Sequence, residues 1–254
     1  KWKRCNRKSA PKCKPLRIPL RLKNDEPSIY SYQSQEEMKT PYLPISLCVI
    51  LAFCSCRRFE QEKIVRQAEP FLPKNLYPTE RLPIGFTRVA VLPCYFADED
   101  SPLLDYVDEV FLQELTKQRL FETVQISTEQ MKTLFGVRRL SSSGELPETF
   151  LPDIENATGA NGVLLVDLGS YRAYKPLALS IRSKLVDIKS SDFLWAIDET
   201  FDAGQPNVIV AASQFQRVAQ VNNISARTTG SATASPRTFA KYVANSTFST
   251  LPIR

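Results

Sequence analysis

The chain contains no histidine at all. That removes Ser-His-Asp and Cys-His nucleophilic sites, most zinc sites, and acid–base work by an imidazole near neutral pH. Glycine is scarce, with eight scattered residues and neither G-x-x-x-x-G-K-[ST] nor G-x-G-x-x-G, so no phosphate-cradling loop is expected. No C-x-x-C is present to suggest dithiol exchange. No apolar run approaches the roughly 20 residues that span a bilayer. These absences leave carboxylates as the one remaining route to catalysis, and the expectation is a protein with no catalytic residues, no cofactor and no metal.

What is present stands out most at residues 38–56. Met38-Lys39-Thr40-Pro41-Tyr42 is followed by Leu43-Pro44-Ile45-Ser46-Leu47-Cys48-Val49-Ile50-Leu51-Ala52-Phe53-Cys54-Ser55-Cys56. One lysine, an apolar stretch of about 11 residues and a small residue before a cysteine resemble a bacterial lipoprotein signal. In that family cleavage falls after a small residue and the following cysteine is acylated. The resemblance therefore implies cleavage between Ser55 and Cys56 and lipidation of Cys56. Cys54 does not fit, because Phe53 precedes it. Phe53 is also bulkier than the residue usual three places before the acylated cysteine.

The charge distribution agrees with this division. Residues 1–37 carry ten Lys/Arg and four acids, so the whole formal charge of +6 lies upstream of Met38 and the rest of the chain is neutral. A basic arm often marks nucleic-acid binding. Here it precedes a complete signal, and we read it as sequence upstream of a start at Met38, absent from the mature protein. The alternatives are a long n-region that is cleaved off and a basic tail for nucleic acid or anionic lipid. No nucleic-acid partner is expected. Of six cysteines, the mature chain would keep Cys56 and Cys94. Cys94 would then have no disulfide partner and, after Val91-Leu92-Pro93, reads as a small buried thiol at a strand end.

The expected organisation is 1–37 as the upstream extension, 38–55 as the signal, 56–86 as anchor cysteine and tether, and 87–254 as one globular domain. Pro70, Pro73, Pro78 and Pro83 among charged residues predict extended chain, with a short helix possible over Phe59–Ala68. Arg88–Pro93 reads as a buried strand stopped by proline. Ser101-Pro102 reads as a helix N-terminus, and the stripe Leu103, Val107, Val110, Phe111, Leu115 continues that helix to near Arg119. A strand over Phe121–Ile126 follows. Ser127 and Gln130 form a capping box for a helix ended by Gly136. Pro147–Thr158 predicts another helix, and Gly162 leads into Val163–Leu168, apolar on both faces and so a central strand. Strands at Leu177–Ile188 and Phe193–Phe201 come next, the latter placing Phe193, Trp195, Ile197 and Phe201 on one face. Helices at Pro206–Val218 and Pro236–Ser249 close the chain. The fold class expected is α/β (α+β). It is a single mixed sheet with a β-α-β start followed by antiparallel strands, helices packed on the sheet and a C-terminal helix.

The carboxylates give little chemistry. Asp198, Glu199 and Asp202 sit at a strand end, and Asp198 and Glu199 should face opposite sides of the sheet, a poor arrangement for a shared acid–base site. Asp98-Glu99-Asp100 lacks the spaced ligands of a calcium loop and reads as a solvated turn. Tyr171-Arg172-Ala173-Tyr174-Lys175 reads as a strand-to-turn surface that could contact protein or glycan.

The pattern is similar to envelope proteins that share the TolB amino-terminal domain fold, a group with CsgG and the LpoB-type activators among its relatives. The likeness lies in Arg88–Pro93, in Gly159-Ala160-Asn161-Gly162-Val163-Leu164 and in Leu185-Val186-Asp187-Ile188-Lys189-Ser190-Ser191-Asp192-Phe193-Leu194-Trp195, within residues 87–202. These motifs speak to fold more than function. The signal, the tether and the empty catalytic inventory give the expectation of a non-enzymatic lipoprotein on the periplasmic face of the outer membrane, held by acyl chains on Cys56 and contacting other envelope proteins. The alternatives are an oligomeric secretion component of the CsgG kind and a carboxylate-based enzyme acting on glycans.

Overall fold

A computed structural model describes residues 67–78, 80–222 and 231–253, all within the compact unit Ile50–Arg254. The signal segment, Ser55, Cys56, the upstream extension and nearly all of the Phe59–Ala68 stretch lie outside the described residues.

Six strands form one mixed sheet: β1 (Leu76–Pro78), β2 (Arg88–Val91), β3 (Glu122–Gln125), β4 (Gly162–Arg172), β5 (Ala178–Asp187) and β6 (Phe193–Asp202). Their order is β1-β6-β5-β4-β2-β3. β2 runs parallel to both β3 and β4, whereas β4, β5 and β6 form antiparallel hairpins. The sequence pattern asks for this combination, and the fold class is the expected one. β4 lies between β5 and β2, where its apolar residues are covered on both faces.

The helices are α1 (Val107–Lys117), α2 (Thr128–Phe135), α3 (Phe150–Thr158), α4 (Pro206–Asn222) and α5 (Pro236–Phe248), with a 3-10 turn at Ala232–Ala234. α1, α4 and α5 cover one sheet face, where Val110, Phe111, Val208, Val243 and Phe248 pack with Leu164, Ile181, Trp195 and Phe201. α2 and α3 cover part of the other, through Met131, Phe150 and Ile154 against Ala90, Val163, Leu165 and Val186. Trp195 is fully buried and its indole N–H donates to Thr250 Oγ1 at 3.1 Å. This gives its one polar atom a partner. No helix among the described residues is long and apolar enough to cross a membrane.

Local signals explain most boundaries. Ser127 Oγ accepts from the Gln130 N–H while Gln130 Oε1 accepts from the Ser127 N–H, closing the capping box of α2. Gly136 and Gly159 end α2 and α3 in left-handed conformations, with φ of 75° and 63°. α1 starts later than Ser101-Pro102 suggests. Residues 102–106 wind through i→i+3 turns, Leu104 N–H to Ser101 O and Tyr106 N–H to Leu103 O, which draw Leu103 fully into the core before the helix begins.

Two features depart from the pattern reading. Phe193 does not share a face with Trp195. The pairing shifts between Leu185/Trp195 and Val186/Phe193, so Leu194 is an extra residue that joins the main core and Phe193 turns to the opposite face, half exposed. The proline-rich stretch is extended, as expected, but from Phe71 onward it is docked. Phe71 packs edge-on against Phe201 at 5.1 Å, its N–H donates to Asn207 O, and β1 pairs antiparallel with β6. Prolines at an edge strand cost no ladder bond when their nitrogen faces outward.

Candidate functional site on the second sheet face

The sheet face only partly covered by α2 and α3 carries a connected cluster of polar side chains. Strand alternation sends Asp167, Arg182 and Asp198 to this face, and the register sets them in one cross-strand row. Arg182 holds Asp198 through Nε at 2.8 Å and Nη2 at 2.5 Å, a two-point contact, and donates from Nη1 to Ser143 Oγ. Beyond it, Ser170, Ser180 and Thr200 form a hydroxyl chain with spacings of 2.8 and 2.9 Å. Gly169 is required beside it, because a Cβ there would lie 2.9 Å from the Ser180 Cβ.

Asp167 is buried, and its partners are not cations. Ser141 Oγ, Ser142 Oγ and the Ser142 N–H all donate to its carboxylate at 2.8–3.0 Å. Lys184 Nζ donates to Ser142 O at 2.7 Å and lies 5.7 Å from the Phe193 ring centroid. The Ser141-Ser142-Ser143 run is thus a loop pinned to the sheet by a carboxylate that the sequence alone gave no reason to single out. A second pin lies at the start of this loop. Arg139 pairs with Asp108 at 2.9 Å and donates to Cys94 O, while Asp108 Oδ1 accepts the Cys94 N–H at 2.7 Å. Burial first, then the Asp108 carboxylate, pushes the Cys94 thiol well above its ordinary pKa. Cys94 is buried, as its strand-end position suggested, and its sulfur is kept protonated rather than activated.

The acidic candidates are separated, as their alternation required. Asp198 engages Arg182 on the second face. Glu199 Oε2 accepts the Lys74 and Asn75 N–H groups at 2.9 and 3.2 Å, holding β1 in place. Asp202 pairs with Arg172 at 2.7 Å and caps the Gly204 N–H. Asp98, Glu99 and Asp100 are exposed in their loop. Among the described residues no group of three or more Cys, Asp or Glu gathers in a metal-holding arrangement. In the Tyr171–Lys175 run, Tyr171 is turned inward, edge-on to Phe96 and with its hydroxyl 3.3 Å from that of Tyr106, so Tyr174 is the aromatic that projects. Chemically, the hydroxyl and carboxylate groups of this face are spent on holding loop and strands together.

No family model matches the chain, and no curated protein matches it in sequence. Solved structures do. Among them is the PelC dodecamer from Paraburkholderia phytofirmans, at 12% identity and a TM-score of 0.42, covering 70% of this chain and 96% of that one. Lipoprotein GNA1162 from Neisseria meningitidis is similar at 15% identity and a TM-score of 0.38, covering 56% of this chain and 99% of that one. The LpoB C-terminal domain from Escherichia coli is similar at 18% identity and a TM-score of 0.31, covering 45% and 82%. Likeness at this distance assigns neither activity nor partner.

Proposed function

We propose that the protein is a membrane-anchored lipoprotein of the bacterial cell envelope, non-enzymatic, whose domain acts in the periplasm through contacts with other proteins. The observation that carries this reading is the apolar segment ending at Ser55-Cys56, set 15 residues ahead of Phe71, which is docked on the domain. Neutral charge beyond residue 37 supports it, since it removes the basis for a nucleic-acid partner. So does the way Asp198, Glu199 and Asp202 are each committed to a separate structural contact. Acyl chains on Cys56 would hold the protein to the membrane, since two or more chains anchor stably where one does not. Metabolic labelling with a palmitate analogue tests this. Label should enter the wild-type protein, and both globomycin and Cys56→Ala should abolish it and release the domain from membranes. Label retained in Cys56→Ala would refute the assignment.

A further inference from the structure

The sheet ends at β3, and the outer side of that strand is open. Glu122 N–H donates inward to Thr87 O at 2.8 Å, and Ile126 N–H to Val91 O at 3.0 Å. The two-residue alternation of a parallel ladder then turns the N–H and C=O of Thr123 and Gln125 outward. None of these four groups has a partner among the described residues. Beside this edge, between β3 and helices α2 and α3, lies a groove of about 330 Å³ whose apolar wall is Val124, Ile126, Leu134 and Ala157. A strand laid against β3 would send the side chain beside Val124 to the same face, and so into the groove. Glu129 is the one charged residue lining it. Its own backbone N–H and the Thr128 hydroxyl hold the Glu129 carboxyl below its ordinary range, so it is anionic at neutral pH.

The geometry points to β3 as the edge that binds an extended segment of a partner protein, added as a seventh strand, with an apolar side chain in the groove and a lysine or arginine against Glu129. Main-chain bonds to Thr123 and Gln125 would supply affinity, and the groove and Glu129 would supply selection. A second copy of β3 is the poorer occupant, because Glu122-Thr123-Val124-Gln125 brings no basic side chain and a second acidic groove. This inference names the surface of the protein contacts proposed above and rests on that reading, but not on acylation.

The test titrates the isotope-labelled 254-residue chain, in detergent micelles, with the peptide acetyl-Lys-Thr-Val-Thr-Val-Thr-Lys-amide, whose lysines and valines share one face when extended. Saturable amide shifts centred on Thr123 and Gln125, with slowed hydrogen exchange at those two amides, are expected. Gln125→Pro removes one outward N–H without touching the bonds to β2 and should weaken binding roughly tenfold, the worth of one main-chain hydrogen bond. Glu129→Lys should weaken it too, and should favour the same peptide with glutamates in place of its lysines. That charge swap decides the matter even if Gln125→Pro fails to fold. Shifts centred elsewhere, no shifts, binding indifferent to the charge swap, or self-association of the chain through β3 would each overturn the inference. Loss of acyl labelling at Cys56 would leave the peptide result standing, so the two readings fail separately.

Discussion

Gly162 lies where β4 passes closest to Phe86, and replacing it with alanine is a direct test of the packing. A Cβ at this position would stand 2.3 Å from Phe86 Cζ and 2.6 Å from Cε2, with the Val186 carbonyl oxygen 3.1 Å away. Carbon atoms pack best at about 3.5–4.0 Å, so the ring must withdraw by more than about 1 Å. The Val186 carbonyl limits escape of the new methyl. Phe86 is buried and sits edge-on to Phe121 at 6.1 Å, so it too lacks free space. Overpacking of this kind costs about 1–3 kcal/mol, and expelling the ring would forfeit a further part of the roughly 1.5–3 kcal/mol its burial contributes. The expected loss is about 2–4 kcal/mol, a large share of an ordinary domain's stability. Phe86→Leu deletes the two clashing atoms and alone should cost about 1–3 kcal/mol for the ring burial lost and the space left. The Gly162→Ala/Phe86→Leu pair should then be less destabilised than the sum of the singles by at least about 1 kcal/mol. Urea unfolding followed by circular dichroism, with unchanged m-values, measures all three. A Gly162→Ala loss below about 0.5 kcal/mol, or strict additivity of the pair, would refute the close approach.

Asp167→Ala should free the loop over residues 138–149, costing about 2 kcal/mol for the stranded donors of Ser141 and Ser142, and protease cleavage in that loop should speed up; equal cleavage rates would count against the pin. Cys94 should resist iodoacetamide at pH 8 in the folded chain and react once unfolded, as read by mass analysis of its peptide. Its folded pKa lies above the unfolded value, so the unfolded state loses the proton first and stability falls as pH rises past the ordinary thiol range, about 8.5–9. Cys94→Ala should remove that alkaline slope, and a slope unchanged in the variant would show that another group sets it.

The elements with strong local chemistry were legible. The capping box at Ser127 and Gln130, the glycines that stop α2 and α3, and the doubly apolar run of β4 each encode their structure within a few residues. The separation of Asp198 from Glu199 was also legible, because strand alternation needs no tertiary knowledge. What escaped depends on distant partners. β1 is a three-residue strand that exists because Glu199 and Asp198, more than 120 positions away, receive Lys74 and Asn75. The reversal of Phe193 follows from one extra residue in the β5–β6 pairing, which leaves no mark on the apolar pattern. Asp167 lies inside a run whose pattern reads as apolar on both faces, and its use appears only when the serine loop closes on it.

The docking of Phe71 also sets a length scale. If Cys56 carries the anchor proposed above, the 14 residues between it and Phe71 could reach at most about 50 Å even if fully extended. A partner fixed in the same membrane within that radius would meet the domain at a local concentration on the order of millimolar. At such concentrations a contact of modest intrinsic affinity is occupied most of the time, whereas the released domain, diluted through the compartment, would find the same partner largely unoccupied. With such an anchor, the aromatic contact between Phe71 and Phe201 would bear on occupancy at a distant surface, by limiting how far from the membrane the domain can stand.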